Sequence, residues 1–196
     1  MRNSYAAGIS FGLSAAVFLT LSASQSVAQE LSERSVKTIM NYAWSYTPDK
    51  FTPPNGKTVF IDKKNREKMM VPVAKGREVI RVARLTAHAQ ICDLREDQVK
   101  NYRSLMLRET KSKQWTEQQI VYINQLHLTT VMMLVGKLQI VKKDGDTDKK
   151  VVVKEGKAAA KTCTAEQKSK VKELITKYVS SGPALASAAN KKVKSQ

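Results

Sequence analysis

The chain has 196 residues, with 34 Lys and Arg against 17 Asp and Glu, for a formal charge of +17. Such an imbalance favours anionic surfaces or acidic proteins as partners and says nothing of the fold. No glycine-rich phosphate loop, nucleophile-elbow serine or ordinary zinc-ligand spacing occurs, which argues against the enzyme and zinc-finger classes those motifs mark.

Residues 1–28 read as a secretory signal. Arg2 precedes the apolar run Ile9–Ala23, and Ser26-Val27-Ala28 places small residues one and three before a cut. The run is short of the ~20 apolar residues that span a bilayer, and Gly12 and Ser14 dilute it. Cleavage leaves 196 − 28 = 168 residues, enough for one domain, with no transmembrane segment expected in the mature chain.

A first helix is expected over Leu31–Tyr46, with Val36, Ile39, Met40 and Ala43 at helical spacing. Pro48 ends it, and Pro53-Pro54-Asn55-Gly56 has loop and turn chemistry. Thr58–Ile61 reads as a short strand, with Met69-Met70-Val71 as the second arm of a hairpin turning at Lys63-Lys64-Asn65. Pro72 starts a second helix that runs to Cys92, and a third runs from the Leu94-Arg95 junction to Lys113. Thr116 with Gln119 forms a capping box for a fourth helix, to Lys137. Alternation then predicts a hairpin over Lys137–Lys157, turning at Asp144-Gly145-Asp146. Thr164 with Gln167 caps a fifth helix that Ser181-Gly182-Pro183 stops. Residues 183–196, rich in small residues and lysine, are expected to be a disordered basic tail.

The fourth helix organises the rest. Gln118–Gly136 contains no charged residue; Ile120, Ile123, Val131 and Leu134 line one face, and Val121, Leu128, Met132 and Val135 widen it. Such a helix belongs at the centre of a bundle. Seven polar residues within it argue against a membrane span. Asn124 and His127 on it are expected to be buried polar residues.

Cys92 and Cys163 form an even pair, read as one disulfide in an oxidising compartment. A metal site joining His88 and Cys92 to His127 and Cys163 competes with that bridge for both thiols. Asp144, Asp146, Asp148 and Glu155 match positions one, three, five and twelve of a calcium loop. Lys149 stands where that loop needs glycine, and Val151-Val152-Val153 favours strand where it needs helix. Arg77, Arg81, Arg84 and His88 recur on one helical face, as a strip able to bind anions or as a solvated face. No arginine follows Arg108, and from Lys137 onward fifteen lysines face six acids, a field unlike sequence-specific nucleic-acid readout.

The sequence therefore predicts a mainly α, bundle-like domain over 29–182, with about five helices, one or two short hairpins and one disulfide. The leading functional expectation is an exported, non-enzymatic envelope protein whose basic surface meets anionic envelope components or an acidic partner; it would be periplasmic in a Gram-negative cell. The alternatives are a small-ligand or metal (calcium or zinc) binder using a pocket beside His127 and Asn124 or the acidic loop at Asp144, and an envelope chaperone or assembly partner using the fourth helix. No catalytic residue and no cofactor is assigned.

Overall fold

The computed structural model describes residues 31–53, 56–141, 152–155 and 162–185. Residues 1–30, which include the stretch read as a secretory signal, Asp144, Asp146 and Asp148, and the residues from 186 lie outside them. Among the described residues the chain forms six helices and two antiparallel two-stranded hairpins.

Ser32 caps α1 (Glu33–Tyr46) through its side chain, which accepts from the Ser35 amide. One stripe of α1 (Val36, Met40, Ala43) is buried. β1 (Lys50–Phe51) pairs with β2 (Val59–Phe60) in the register Lys50 to Phe60 and Phe51 to Val59. The Gly56 amide bonds to the Pro53 carbonyl at 2.9 Å, and Gly56 holds φ +82°, a conformation that costs glycine least. The strand at 59–60 thus pairs upstream. Residues 66–69, adjoining the expected second arm, form instead the one-turn helix α2 (Arg66–Met69). Met69 and Val71 are buried with Met70 half-exposed between them, a period of two that imitates a strand.

α3 (Val73–Ile91) follows Pro72 directly and ends in a left-handed turn. Asp93 has φ +56°, the Leu94 amide reaches the Ala89 carbonyl at 2.8 Å, and the Asp93 amide reaches Gln90 at 3.2 Å. These are the two bonds of a Schellman cap, with aspartate where glycine is commonest. α4 (Arg95–Ser112) runs back along α3. α5 (Glu117–Leu134) opens on the Thr116–Gln119 capping box and closes on the same cap, here with Gly136 at φ +78°. β3 (Leu138–Val141) and β4 (Val152–Glu155) pair with Leu138 opposite Glu155, and α6 (Ala165–Ser180) opens on the Thr164–Gln167 capping box. Pro183 and Leu185 of the expected tail are half-buried.

The core gathers Val36 and Met40 of α1, Val79, Ile80 and Val82 of α3, Leu105 of α4, and Tyr122, Ile123 and Leu126 of α5. α5 is central, and Val121, Ile123, His127, Val131 and Val135 of the expected face are buried; the departures are Leu128 and Leu134, which are exposed, and Tyr122, Thr129 and Thr130, which are inside. Gly76 lets α1 approach α3, since a Cβ there would stand 2.4 Å from the Met40 sulfur.

Two polar clamps and a covalent one hold the outer helices. Cys92 and Cys163 are bonded, with Cα atoms 5.1 Å apart, tying the end of α3 to the start of α6. At the other end of α6, Arg108 donates to the Tyr178 and Ser181 carbonyls and lies 4.4 Å over the Tyr178 ring, satisfying acceptors the helix end leaves open. The buried Glu109 carboxylate takes Lys75 Nζ at 3.1 Å on one oxygen and Trp115 Nε1 at 2.6 Å on the other.

Glu109→Ala should lower unfolding stability by about 2 kcal/mol, below the cost of stranding a fully buried charge because Lys75 keeps Glu78. Chemical denaturation measures it, and a double replacement of Lys75 and Glu109 by methionine should recover most of the loss.

Candidate functional site

α3, α4 and α5 meet around a cleft of about 510 Å³. The inner faces of the helices supply its floor and walls at helical spacing: Thr86 and Gln90 from α3, Gln98 and Tyr102 from α4, Asn124, His127 and Val131 from α5. Val99, Leu128, Met132 and Val135 form the apolar part of the wall. Val99 and Leu128 are 45 % and 46 % exposed, so the wall reaches the surface. Lys137 carries the one formal charge in the lining.

Beneath the cleft is a polar chain. Asn101, fully buried on α4, donates from Nδ2 to the Val82 carbonyl at 2.9 Å and to Thr86 Oγ1 at 2.8 Å. Thr86 Oγ1 stands 2.9 Å from His127 Nε2 and 3.2 Å from the Val82 carbonyl. Tyr102 donates to Asn124 Oδ1 at 2.8 Å, and its ring centroid lies 5.2 Å from that of His127. Gln98 donates to Gln90 at 3.3 Å across the α3–α4 seam. His127 is 4 % exposed, and burial disfavours its charged form, pulling its pKa down to about 4. Burial likewise raises the Tyr102 phenol. Both groups are therefore neutral near pH 7.

Both polar residues singled out on α5 line this cleft, in different ways. His127 is buried and bonds to Thr86. Asn124 is half-buried and is the partner of Tyr102. Thr86, Asn101 and Tyr102 were not anticipated. The available signal was Asn101, an uncharged polar residue one turn before the apolar Leu105.

Of the other sequence candidates, Asp144, Asp146 and Asp148 lie outside the described residues, and the rest stand apart from this cleft. Arg77 donates to the Leu31 carbonyl, joining α3 to the start of α1. Arg81 and His88 are exposed and Arg84 is half-buried on the same face of α3. His88 reaches a second cleft, of about 810 Å³, beside the disulfide and Lys170 of α6. The disulfide occupies both thiols of the proposed His–Cys metal site. Glu155 stands in β4, in strand where a calcium loop requires helix, and no group of three or more metal-binding side chains occurs among the described residues.

No protein-family model, curated protein or solved structure matches this chain. The site is therefore read from its own chemistry. An apolar wall over a few convergent polar groups is the usual composition of a small-molecule site.

The depressed pKa of His127 links its burial to acid stability. The unfolded chain takes up a proton near 6.5, whereas the folded one does so near 4, so the contribution is complete above pH 6.5 and is lost as pH falls towards 4. His127→Leu should reduce the fall in stability between those two pH values by about 3 kcal/mol relative to the unaltered chain, as urea titrations at each pH will measure.

Proposed function

We propose that this is an exported, non-enzymatic binding protein that holds a small, largely apolar molecule in the α3–α4–α5 cleft. The observation that carries the reading is the neutral polar floor, His127 with Thr86 and Asn124 with Tyr102, beneath the apolar wall of Val99, Leu128, Met132 and Val135. A floor of buried polar groups orients a ligand, and the wall supplies apolar contact area worth roughly 25 cal/mol per Å² removed from water. Export is supported by the signal pattern of residues 1–28 and by the Cys92–Cys163 bridge, a bond that oxidising compartments preserve. No helix among the described residues is long and apolar enough to cross a membrane.

The test is titration of the disulfide-intact protein with an uncharged solvatochromic dye such as Nile red. One equivalent should bind, and Leu128→Trp, which fills the wall from a half-exposed position, should weaken binding roughly tenfold, equivalent to about 1.4 kcal/mol. Absence of binding, or binding indifferent to that substitution, overturns the reading.

A second reading concerns the outside of the molecule. Lys168, Lys170, Lys172 and Lys177 are exposed on α6, and only Lys170 pairs with an acid, Glu173, among the described residues. Together with the +17 charge, this favours loose, salt-sensitive association with anionic envelope components or an acidic partner. Sedimentation with anionic vesicles should fall as salt rises, and should fall further when Lys168, Lys172 and Lys177 are changed to Gln. No co-sedimentation even at low salt removes this reading and leaves the cleft unaffected.

A further inference from the structure

Resting on the binding reading above, we infer that the cleft selects an uncharged molecule bearing a carbonyl-type oxygen, which accepts hydrogen bonds from His127 Nδ1 and Asn124 Nδ2.

The inference follows from where the protons in the polar floor must go. Asn101 Nδ2 uses both of its hydrogens, one on the Val82 carbonyl and one on Thr86 Oγ1. Thr86 Oγ1 is therefore an acceptor from Asn101, and its own single hydrogen has two possible destinations. One is the Val82 carbonyl at 3.2 Å, and the other is His127 Nε2 at 2.9 Å. The Val82 carbonyl lies within α3, where the amide four residues on is its ordinary partner. With Asn101 as well, both of its lone pairs are engaged. The Thr86 hydroxyl therefore donates to His127, along the shorter distance, and Nε2 is an acceptor.

A neutral imidazole that accepts at Nε2 carries its hydrogen on Nδ1. Burial holds His127 in that neutral form at physiological pH. No side chain or backbone group among the described residues accepts from Nδ1, although the ring borders the cleft. Nδ1 is not among the buried side-chain atoms left without a partner, so this donor is open to the cleft, where the acceptor of a bound molecule can meet it.

Asn124 repeats the logic on the same helix, three residues earlier. The Tyr102 hydroxyl donates to Oδ1, which fixes the orientation of the amide and leaves Nδ2 with its hydrogens. Tyr102 has then used its only hydrogen. The two α5 side chains thus offer donors. The Gln98–Gln90 pair leaves one donor and one acceptor of its own nearby.

Charge narrows the class. Moving an ion from water to a site of neutral dipoles is costly, and no buried counter-ion is present, since Lys137 is exposed. An ammonium group would meet two donors. A carboxylate would have to give up its water for neutral partners. A ketone, ester or lactone on an apolar skeleton accepts from both donors while leaving nothing charged in the cleft.

The experiment has two independent arms. In the first, long-range ¹⁵N NMR of the unliganded, disulfide-intact protein near pH 7 reads the His127 tautomer. Hydrogen on Nδ1 is expected, and hydrogen on Nε2 overturns the inference without touching the binding reading. In the second, the protein is titrated with four naphthalene probes of similar size: 2-acetonaphthone, 2-ethylnaphthalene, 2-naphthoate and 1-(2-naphthyl)ethylamine. The ketone should bind roughly tenfold more tightly than the hydrocarbon and more tightly than either ion. Asn124→Leu and His127→Leu should each erase most of that preference, read as the ratio of ketone to hydrocarbon affinity within the same variant. Asn124 is half-buried, so its variant keeps the test open if the His127 variant unfolds. Equal binding of ketone and hydrocarbon, or preference for either ion, refutes carbonyl selection while binding itself stands. No binding of any probe refutes both.

Discussion

Everything in this fold follows from burying one helix that has no charge beyond its first residue, Glu117, but many polar groups. α5 cannot be left in water, because its apolar residues occupy most of its circumference, and it cannot be packed as plain hydrocarbon either. Each polar side chain it takes inside must find a partner, and those partners dictate where the neighbours lie. The Tyr122 hydroxyl, in a fully buried residue, reaches the Met40 carbonyl and so sets the height of α1. His127 meets Thr86 and sets α3. Thr130 bonds back to the Leu126 carbonyl within its own helix, and Gln125 donates to Thr129 at 3.1 Å. A helix of leucine alone would bury as well and specify far less.

The cleft arises from the same constraint. α3 packs closely on both α4 and α5, and the groove between α4 and α5 on the far side of that contact is lined with Tyr102, Asn124 and His127, with half-exposed Leu128 on its wall. Filling this groove with larger apolar side chains would stabilise the fold at the expense of the polar floor. Sites retained at some cost to packing are where function commonly resides.

Much of this was legible in the chain and some was not, for reasons that can be named. Both capping boxes, the stripe on α1, the disulfide and the downstream hairpin are local signals, written in residues three or four apart or in an even count of cysteines. The pairing of β2 was misread because β1 is two residues long, too short to show a period, whereas Met69 and Val71 alternate with Met70 like a strand while bounding a helical turn. The edges of the buried face of α5 differ from the expected ones because apolar residues surround the helix. Only the position of Met40, on another element, determines that Tyr122 turns inward, and Leu134 on the expected face is exposed. The polar floor joins α3, α4 and α5 across separations of fifteen to forty-one residues, beyond what pattern reading can connect.

The sulfur bridge has a mechanical consequence. Cys92 and Cys163 are 71 positions apart, and the segment between them contains α4, α5 and both strands of the second hairpin. Tension applied along the chain from residue 31 to residue 185 passes from one sulfur to the other and bypasses that segment. α1, α3 and α6 would be drawn out under load. The two walls of the cleft, enclosed in a covalent ring, would carry no force until the ring itself was reduced.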